Sequence, residues 1–406
     1  MHTIRRLNRR RILLPAVAAG TSAVLSALGL LGWSAPARSI APPPTASTIV
    51  TPVHVRYRAV DVTLPGATVY SVDCVNNRGD ILGAATFPDR GMARFLLKDG
   101  RVTILSGDAS LYPGHCDEPF RPSAMSEAGA IVGAWIDGYN SHTVFYDGRN
   151  PVAIDNTDFP GSYPFAINHN NEIVGIVQLH KWDEGPNNNV HAARYVTGRH
   201  WQSLFLDGPH WQDLGTLGGS RSYAFGINDS GAVVGMSDVQ PGNFPTTHAF
   251  LDQDGKMTDL TPGHDVYASR ATAINRKGDV AGQIYREGER GTMAALYRSG
   301  KWESLGTLPG YVSSYATGIN ANDTVIGTCS TRISRWDDYR PSRHCTFVSV
   351  NHHMYDPSDL LDRTADDRDL KIYDLHNLND HGVIAATAVR DGKYVPVVLV
   401  PENGKR

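Results

Sequence analysis

Residues 211 to 260 read WQDLGTLGGSRSYAFGINDSGAVVGMSDVQPGNFPTTHAFLDQDGKMTDL, and fainter copies of this run recur along most of the 406-residue chain. Its densest part, INDSGAVVG from Ile227 to Gly235, has relatives beginning at Val75 (VNNRGDILG), Met125 (MSEAGAIVG), Ile167 (INHNNEIVG), Ile274 (INRKGDVAG), Ile319 (INANDTVIG) and Leu378 (LNDHGVIAA). Successive copies start 42 to 60 residues apart. That is the length of one four-stranded blade and too long for a leucine-rich or hexapeptide solenoid.

The nonamer has the chemistry of a tight hairpin. Its first two residues end one strand, its last four form the next, and the fifth must reverse the chain at positive φ, where glycine is cheapest. That place is held by Gly79, Gly129, Gly231, Gly278 and Gly382, and otherwise by Asn171 and Asp323, the side-chain types that best tolerate a left-handed backbone. The second position is Asn76, Asn168, Asn228, Asn275, Asn320 and Asn379 in six copies, and an Asn there can bond the turn backbone two residues on. We read it as turn chemistry and not as a ligand.

Within the parent copy, SYAFGIN, AVVGMSD, THAFLDQ and KMTDL form four short strands, A to D, separated by turn residues such as the Asp-Gly of QDGK at 253 to 256. Short strands at regular spacing predict an all-β domain, and a four-stranded unit used seven times predicts a seven-bladed β-propeller. Small residues precede the nonamer at Ala124, Ala166, Gly226, Ala273 and Gly318, which suits a strand A lining a crowded central channel. The last copy ends at YVPVVLVPENGKR without a strand D, whereas residues 57 to 66, YRAVDVTLPG, look like one. The N-terminal strand is therefore expected to complete the last blade and close the ring, leaving no long open sheet edge.

Residues 1 to 37 stand apart: a basic start with five Arg, an apolar run, then Ala35-Pro36-Ala37. This reads as a secretory signal, with Arg9-Arg10-Arg11 resembling a twin-arginine type; the apolar run is also long enough for an uncleaved anchor. Residues 38 to 54 read as a Pro/Ala/Ser/Thr-rich linker, and residues 55 to 406 as the propeller. The segment carries no acidic residue, so its removal takes the formal charge from −3 to −8. A mildly acidic exported domain is a poor match for nucleic acid, which demands clustered Lys and Arg. We expect a protein exported from a bacterial cytoplasm, monomeric, with no membrane span in the mature chain and no cofactor.

Four cysteines in an exported chain suggest two disulfides, and strand positions favour Cys74 with Cys116 and Cys329 with Cys345. A metal site is disfavoured because no Cys-x-x-Cys spacing is present. His142, His191, His248 and His344 recur near the start of strand C in different copies, where copies of one position cannot meet at one centre. A hydrogen bond within each blade accounts for them better. No nucleophile elbow, phosphate loop or zincin pattern occurs.

The departures from the repeat are its insertions. LHKWDEGPNNN at 179 to 189 and RISRWDDYRPSR at 332 to 343 follow strand B of the third and sixth copies, and WIDGYN at 135 to 140 is a shorter relative in the second. All B to C loops leave one face of a propeller, so Trp135, Asp137, Tyr139, Trp182, Asp183, Glu184, Trp336, Asp337, Asp338 and Tyr339 would border one surface. Flat aromatic faces beside carboxylates suit a sugar ring or a protein hot spot; the same Trp residues could instead pack their own loops onto the blades.

The string DLGTLGGSRSYAFGINDSGAVVG followed by HAFL resembles the HAF family of bacterial extracellular repeat proteins, named for the His-Ala-Phe at 248 to 250. The resemblance implies export and a propeller-like repeat fold, and brings no activity or catalytic residues. Two functions fit the sequence. One is a secreted binding or scaffold module for a glycan or an extracellular protein. The other is an extracellular carbohydrate-active enzyme, a glycoside hydrolase or polysaccharide lyase, which needs carboxylates such as Asp183, Glu184, Asp337 or Asp338 to converge on one substrate position.

Overall fold

The computed structural model describes residues 55–89, 91–105, 120–137, 140–149, 151–154, 159–179, 190–196, 210–241, 246–262, 266–331, 344–362 and 368–402. The segment read as a signal and the linker after it lie outside these residues. Strand β1 (Arg56–Asp61) comes first, and six blades follow it. Blade one is β2 (Thr68–Val75), β3 (Ile81–Phe87), β4 (Gly91–Lys98) and β5 (Arg101–Ile104). Blade two is β6 (Arg121–Met125), β7 (Ile131–Asp137), β8 (Asn140–Tyr146) and β9 (Pro151–Ala153). Blade three is β10 (Gly161–Ile167), β11 (Ile173–Gln178), β12 (Val190–Val196) and β13 (His210–Asp213).

Blade four is β14 (Ser222–Ile227), β15 (Val233–Asp238), β16 (Thr247–Gln253) and β17 (Lys256–Asp259). Blade five is β18 (Ala268–Ile274), β19 (Val280–Tyr285), β20 (Met293–Arg298) and β21 (Lys301–Gly306). Blade six is β22 (Ser313–Ile319), β23 (Val325–Ser330), β24 (His344–Val350) and β25 (His353–Tyr355). Blade seven takes β26 (Lys371–Leu378), β27 (Ile384–Arg390) and β28 (Lys393–Glu402) from the C-terminal end and β1 from the other, in the order β1-β28-β27-β26. The molecule is a seven-bladed β-propeller of four-stranded antiparallel blades.

Ring closure follows the sequence expectation. β1 pairs with β28 from Arg56↔Glu402 to Asp61↔Val397, Tyr57 is buried among Leu361, Leu370 and Leu399, and Arg390 Nη1 lies 2.7 Å from Asp61 Oδ2. The apolar core is divided into wedges at the seams between blades. Val174, Ile227, Val233 and Phe250 fill the seam of blades three and four, and Val234, Ile274, Val280 and Ile284 that of four and five. A fully buried Phe such as Phe250 stabilises its wedge by about 2 kcal/mol.

The nonamer turns have the geometry their chemistry dictates. φ is 80° at Gly231 and 61° at both Asn171 and Asp323. Asn228 Oδ1 accepts from the amides of Ser230 and Ala232, each at 3.1 Å. The same side chain also reaches the next blade, a role that repeat spacing does not reveal. Asn228 Nδ2 donates to the Asn275 carbonyl at 3.1 Å, Asn275 to Asn320 at 3.2 Å, Asn320 to Asn379 at 3.2 Å, and Asn379 to Asn76 at 2.9 Å. Asn76 donates to Ser126 at 3.4 Å and Asn168 to Asn228 at 3.1 Å. One amide per blade thus strings the inner ring together, except at Ser126, whose shorter hydroxyl serves its own turn by accepting from the Ala130 amide at 3.1 Å.

The His-Ala-Phe triplet is explained residue by residue. His248 Nδ1 lies 2.8 Å from Asp259 Oδ2 on the neighbouring strand D. The Ala249 amide donates to Ser269 Oγ of the next blade at 2.8 Å. Phe250 packs on Gly235. The histidine expectation holds in blade three as well, where His191 Nδ1 lies 2.8 Å from Asp213 Oδ2. Burial alone would raise the Asp213 carboxyl, but the His191 contact and the Gly215 amide outweigh it and hold it below the usual carboxylate range.

Candidate functional site

On the face where strands B and C meet, β11 and β12 open at Gln178↔Val190 and β23 and β24 at Ser330↔His344. These are the roots of the two Trp-bearing insertions, in blades three and six, on opposite sides of the ring. Trp182, Asp183, Glu184, Trp336, Asp337, Asp338 and Tyr339 themselves lie outside the described residues, as does Tyr139. In blade two the run WIDGYN proves to be a hairpin and not an insertion: Asp137 pairs with Asn140 at the end of β7. Trp135 packs with Phe120 and Tyr146 at the seam of blades one and two, 8% exposed. Its ring stacks on His142 at 4.2 Å.

Cys329 and Cys345 stand opposite each other in the β23–β24 register, as the expected pairing requires, and both are thiols in this structure. Hydrogen bonding from Cys345 outweighs burial and brings the Cys329 thiol down to about 7. Cys74 is a buried thiol pushed up to about 12 by that burial. Cys116 lies outside the described residues.

The central channel contains what the sequence reading missed. In every blade strand A breaks register with strand B two residues before the nonamer, for example between Ala224 and Gly226 in blade four. The residue in that β-bulge is Asp73, Ser123, Phe165, Phe225, Thr272, Thr317 or His376, blades one to seven in order. A bulge takes one residue out of the ladder and re-aims its side chain. It also explains the glycine that ends the nonamer in the first six blades. A methyl on Gly235 would overlap the Tyr223 carbonyl, and Gly175, Gly282 and Gly327 meet the corresponding carbonyls of Tyr163, Arg270 and Tyr315.

The bulge geometry repeats, whereas its residues do not. Across blades three and four the inner wall is an aromatic arc. Tyr163 and Phe165 lie 5.3 Å apart, Phe165 and Phe225 5.3 Å, and Tyr223 stacks parallel to Phe225 at 5.9 Å. Arg270 of blade five ends the arc, its guanidinium 4.2 Å from the centre of the Phe225 ring. Burial raises the Tyr163 and Tyr223 hydroxyls and brings Arg270 down to about 10. The opposite wall is polar: Asp73 binds Arg94 at 2.8 Å, and His376 Nε2 lies 2.9 Å from Thr387 Oγ1. Comparing residues two and four places before each nonamer, as the inward positions of one strand, is the signal that would have exposed this wall.

At the end of the channel bearing the nonamer turns, Glu127, Asp229, Arg276 and Asp380 occupy one repeat position and meet. Arg276 Nη2 lies 2.6 Å from Asp380 Oδ2, and its Nε is 3.7 Å from Asp229 Oδ2. Glu127 accepts from the Asn77 amide at 2.6 Å, Asp229 from His169 at 3.0 Å, and Asp380 from Ala321 at 2.8 Å. Burial foremost, then the charge of Asp380, raises Glu127 above the usual Glu value despite the Asn77 amide and Arg276. These carboxylates hold neighbouring turns together, which is a structural use. Among the described residues no group of His, Cys, Asp and Glu is arranged to hold a metal ion, and no helix is long and apolar enough to cross a membrane.

No family model matches the chain and no curated protein resembles it. Solved structures do. TolB from Acinetobacter baumannii is 11% identical with a TM-score of 0.39, over 77% of this chain and 60% of that one, so the chain spans about three-fifths of TolB. YCF48 from Cyanidioschyzon merolae is 11% identical with a TM-score of 0.45, over 84% and 99%. A gluconolactonase from Xanthomonas campestris is 11% identical with a TM-score of 0.36, over 84% and 99%. At such identity the likeness reaches no further than architecture.

Proposed function

We propose that the chain is an exported binding or scaffold module of the HAF type, whose Trp-bearing loops hold a glycan or an extracellular protein. The observation that carries this reading is the placement of the two long insertions. A closed ring supplies a rigid frame, and extra length that the frame does not need leaves it on one face, from blades three and six. Trp182 and Trp336 are the anchors of this surface, with Asp183, Glu184, Asp337, Asp338 and Tyr339 as polar neighbours. An oxidised Cys329–Cys345 pair at the root of the blade-six loop belongs to the same proposal. Neighbouring strand residues in register fall within disulfide range, and that bond would fix the loop base.

The test is binding of the chain, purified after export, to a broad glycan array beside a Trp182→Ala, Trp336→Ala double variant. Saturable binding that the double variant loses, with its thermal unfolding unchanged, supports the glycan reading. Equal binding by both proteins overturns the role of the loops. Absence of glycan binding moves the ligand to a protein partner.

A further inference from the structure

Four partly buried arginines among the described residues each have a carboxylate. Arg94 lies 2.8 Å from Asp73, Arg221 2.9 Å from Asp238, Arg298 3.0 Å from Asp279, and Arg194 contacts Glu172. Arg270 differs from them. It is 7% exposed, less than any of these, yet no acidic group among the described residues forms an ion pair with it. Its Nε and Nη2 atoms are buried and have no hydrogen-bond acceptor among the described residues. A buried charge is ordinarily paired, because the cost of leaving water must be offset.

The surroundings of Arg270 are specific. It stands two residues before the bulge of β18, so it shares the inner wall with the aromatic arc, and its guanidinium lies over Phe225. That contact supports one face of the guanidinium and leaves the N–H edge, which points along its plane, unused. A guanidinium edge with two free donors matches the two oxygens of a carboxylate. Phe225 and Tyr223 beside it supply apolar, flat surface for the group that carries the carboxylate. The same position is Tyr163, Tyr223 and Tyr315 in blades three, four and six and Arg121 in blade two, so its charge is not a fixed part of the repeat, and of these side chains it is Arg270 that lies over Phe225.

We propose that the inner seam of blades four and five is a binding site for a small organic carboxylate, with Arg270 taking the oxygens and Phe225 and Tyr223 lining its apolar part. This site is separate from the Trp-bearing loops and stands or falls independently of them. The channel wall, and not only the loop face, then carries recognition.

The experiment titrates the full chain, purified after export, with benzoate, acetate and uncharged benzyl alcohol by calorimetry, and follows thermal unfolding in parallel. Benzoate should bind saturably at one site and raise the melting temperature, acetate should bind at least tenfold more weakly, and benzyl alcohol should not bind. Arg270→Met should lose benzoate binding at least tenfold while unfolding at a higher temperature than the ligand-free parent, because an unpaired buried charge is gone. Phe225→Leu should weaken benzoate more than acetate, and this variant carries the test if Arg270→Met does not fold. No saturable benzoate binding by the parent, equal binding of benzyl alcohol, or undiminished binding by Arg270→Met would each overturn the proposal.

Discussion

Two rings of residues surround the same channel and behave in opposite ways. In the turn ring, side chain and role repeat together: Asn76, Asn168, Asn228, Asn275, Asn320 and Asn379 each fold their own turn and hold the next blade. In the bulge ring, a few ångströms along the same strands, the backbone repeats and the side chains do not, running from Asp73 through Phe165 and Phe225 to His376. A ring of equivalent blades needs identical joints, so the joints are copied. The wall facing the channel bears no such demand, and its chemistry is free to differ from blade to blade. Uniform positions therefore report architecture, and divergent positions on a uniform backbone report where a ligand would be read.

Both rings depend on closure, so the largest effect should come from opening the seam. Deleting Arg56–Asp61 removes strand β1 and exposes one edge of β28; we expect loss of a cooperative thermal transition by circular dichroism, and a truncated chain that melts like the parent would break the comparison at its base. Next comes the glycine that accommodates the bulge. Gly235→Ala places a methyl against the Tyr223 carbonyl and should cost about 3 kcal/mol in urea unfolding, the upper end of ordinary overpacking.

Substitution in the turn ring should be somewhat milder. Asn228→Ala strips the buried Ala232 amide and the Asn275 carbonyl of a partner, a loss of about 2 kcal/mol. The converse change is more diagnostic. Ser126→Asn supplies the missing amide of the belt and should raise the urea midpoint by the equivalent of about 0.5–1 kcal/mol with an unchanged slope. Destabilisation by that change would show that the belt is not what joins the blades. The smallest effect belongs to the bulge ring. Thr317 Oγ1 makes a 3.3 Å bond to the Ile326 carbonyl, and Thr317→Ala should cost no more than about 0.5 kcal/mol. A loss comparable to that of Asn228→Ala would erase the distinction between the rings.

The loop face shows where the residue string misleads. WIDGYN resembles a short insertion because it shares Trp, Asp and Tyr with its longer counterparts. The Asp137↔Asn140 pairing makes it an ordinary two-residue hairpin, and Trp135 is held at the seam by His142 and Phe120. Composition identifies a residue type, whereas its use depends on which strand face it occupies. That face is set by the pairing register.

The sequence by itself determined the repeat period, the left-handed turn positions, the number of blades and the closing of the last blade by the first strand. All four depend on local chemistry: a turn requires its glycine or asparagine, and a strand pattern is visible within ten residues. Only the tertiary structure decided that each Asn also serves its neighbour, that every strand A carries a bulge, and that Arg270 lies over Phe225 without a carboxylate partner. Those facts join residues 45 to 303 positions apart along the chain or rest on a one-residue slip in register. Periodicity along the chain records how often a unit occurs, and the contacts that close a ring are made across it.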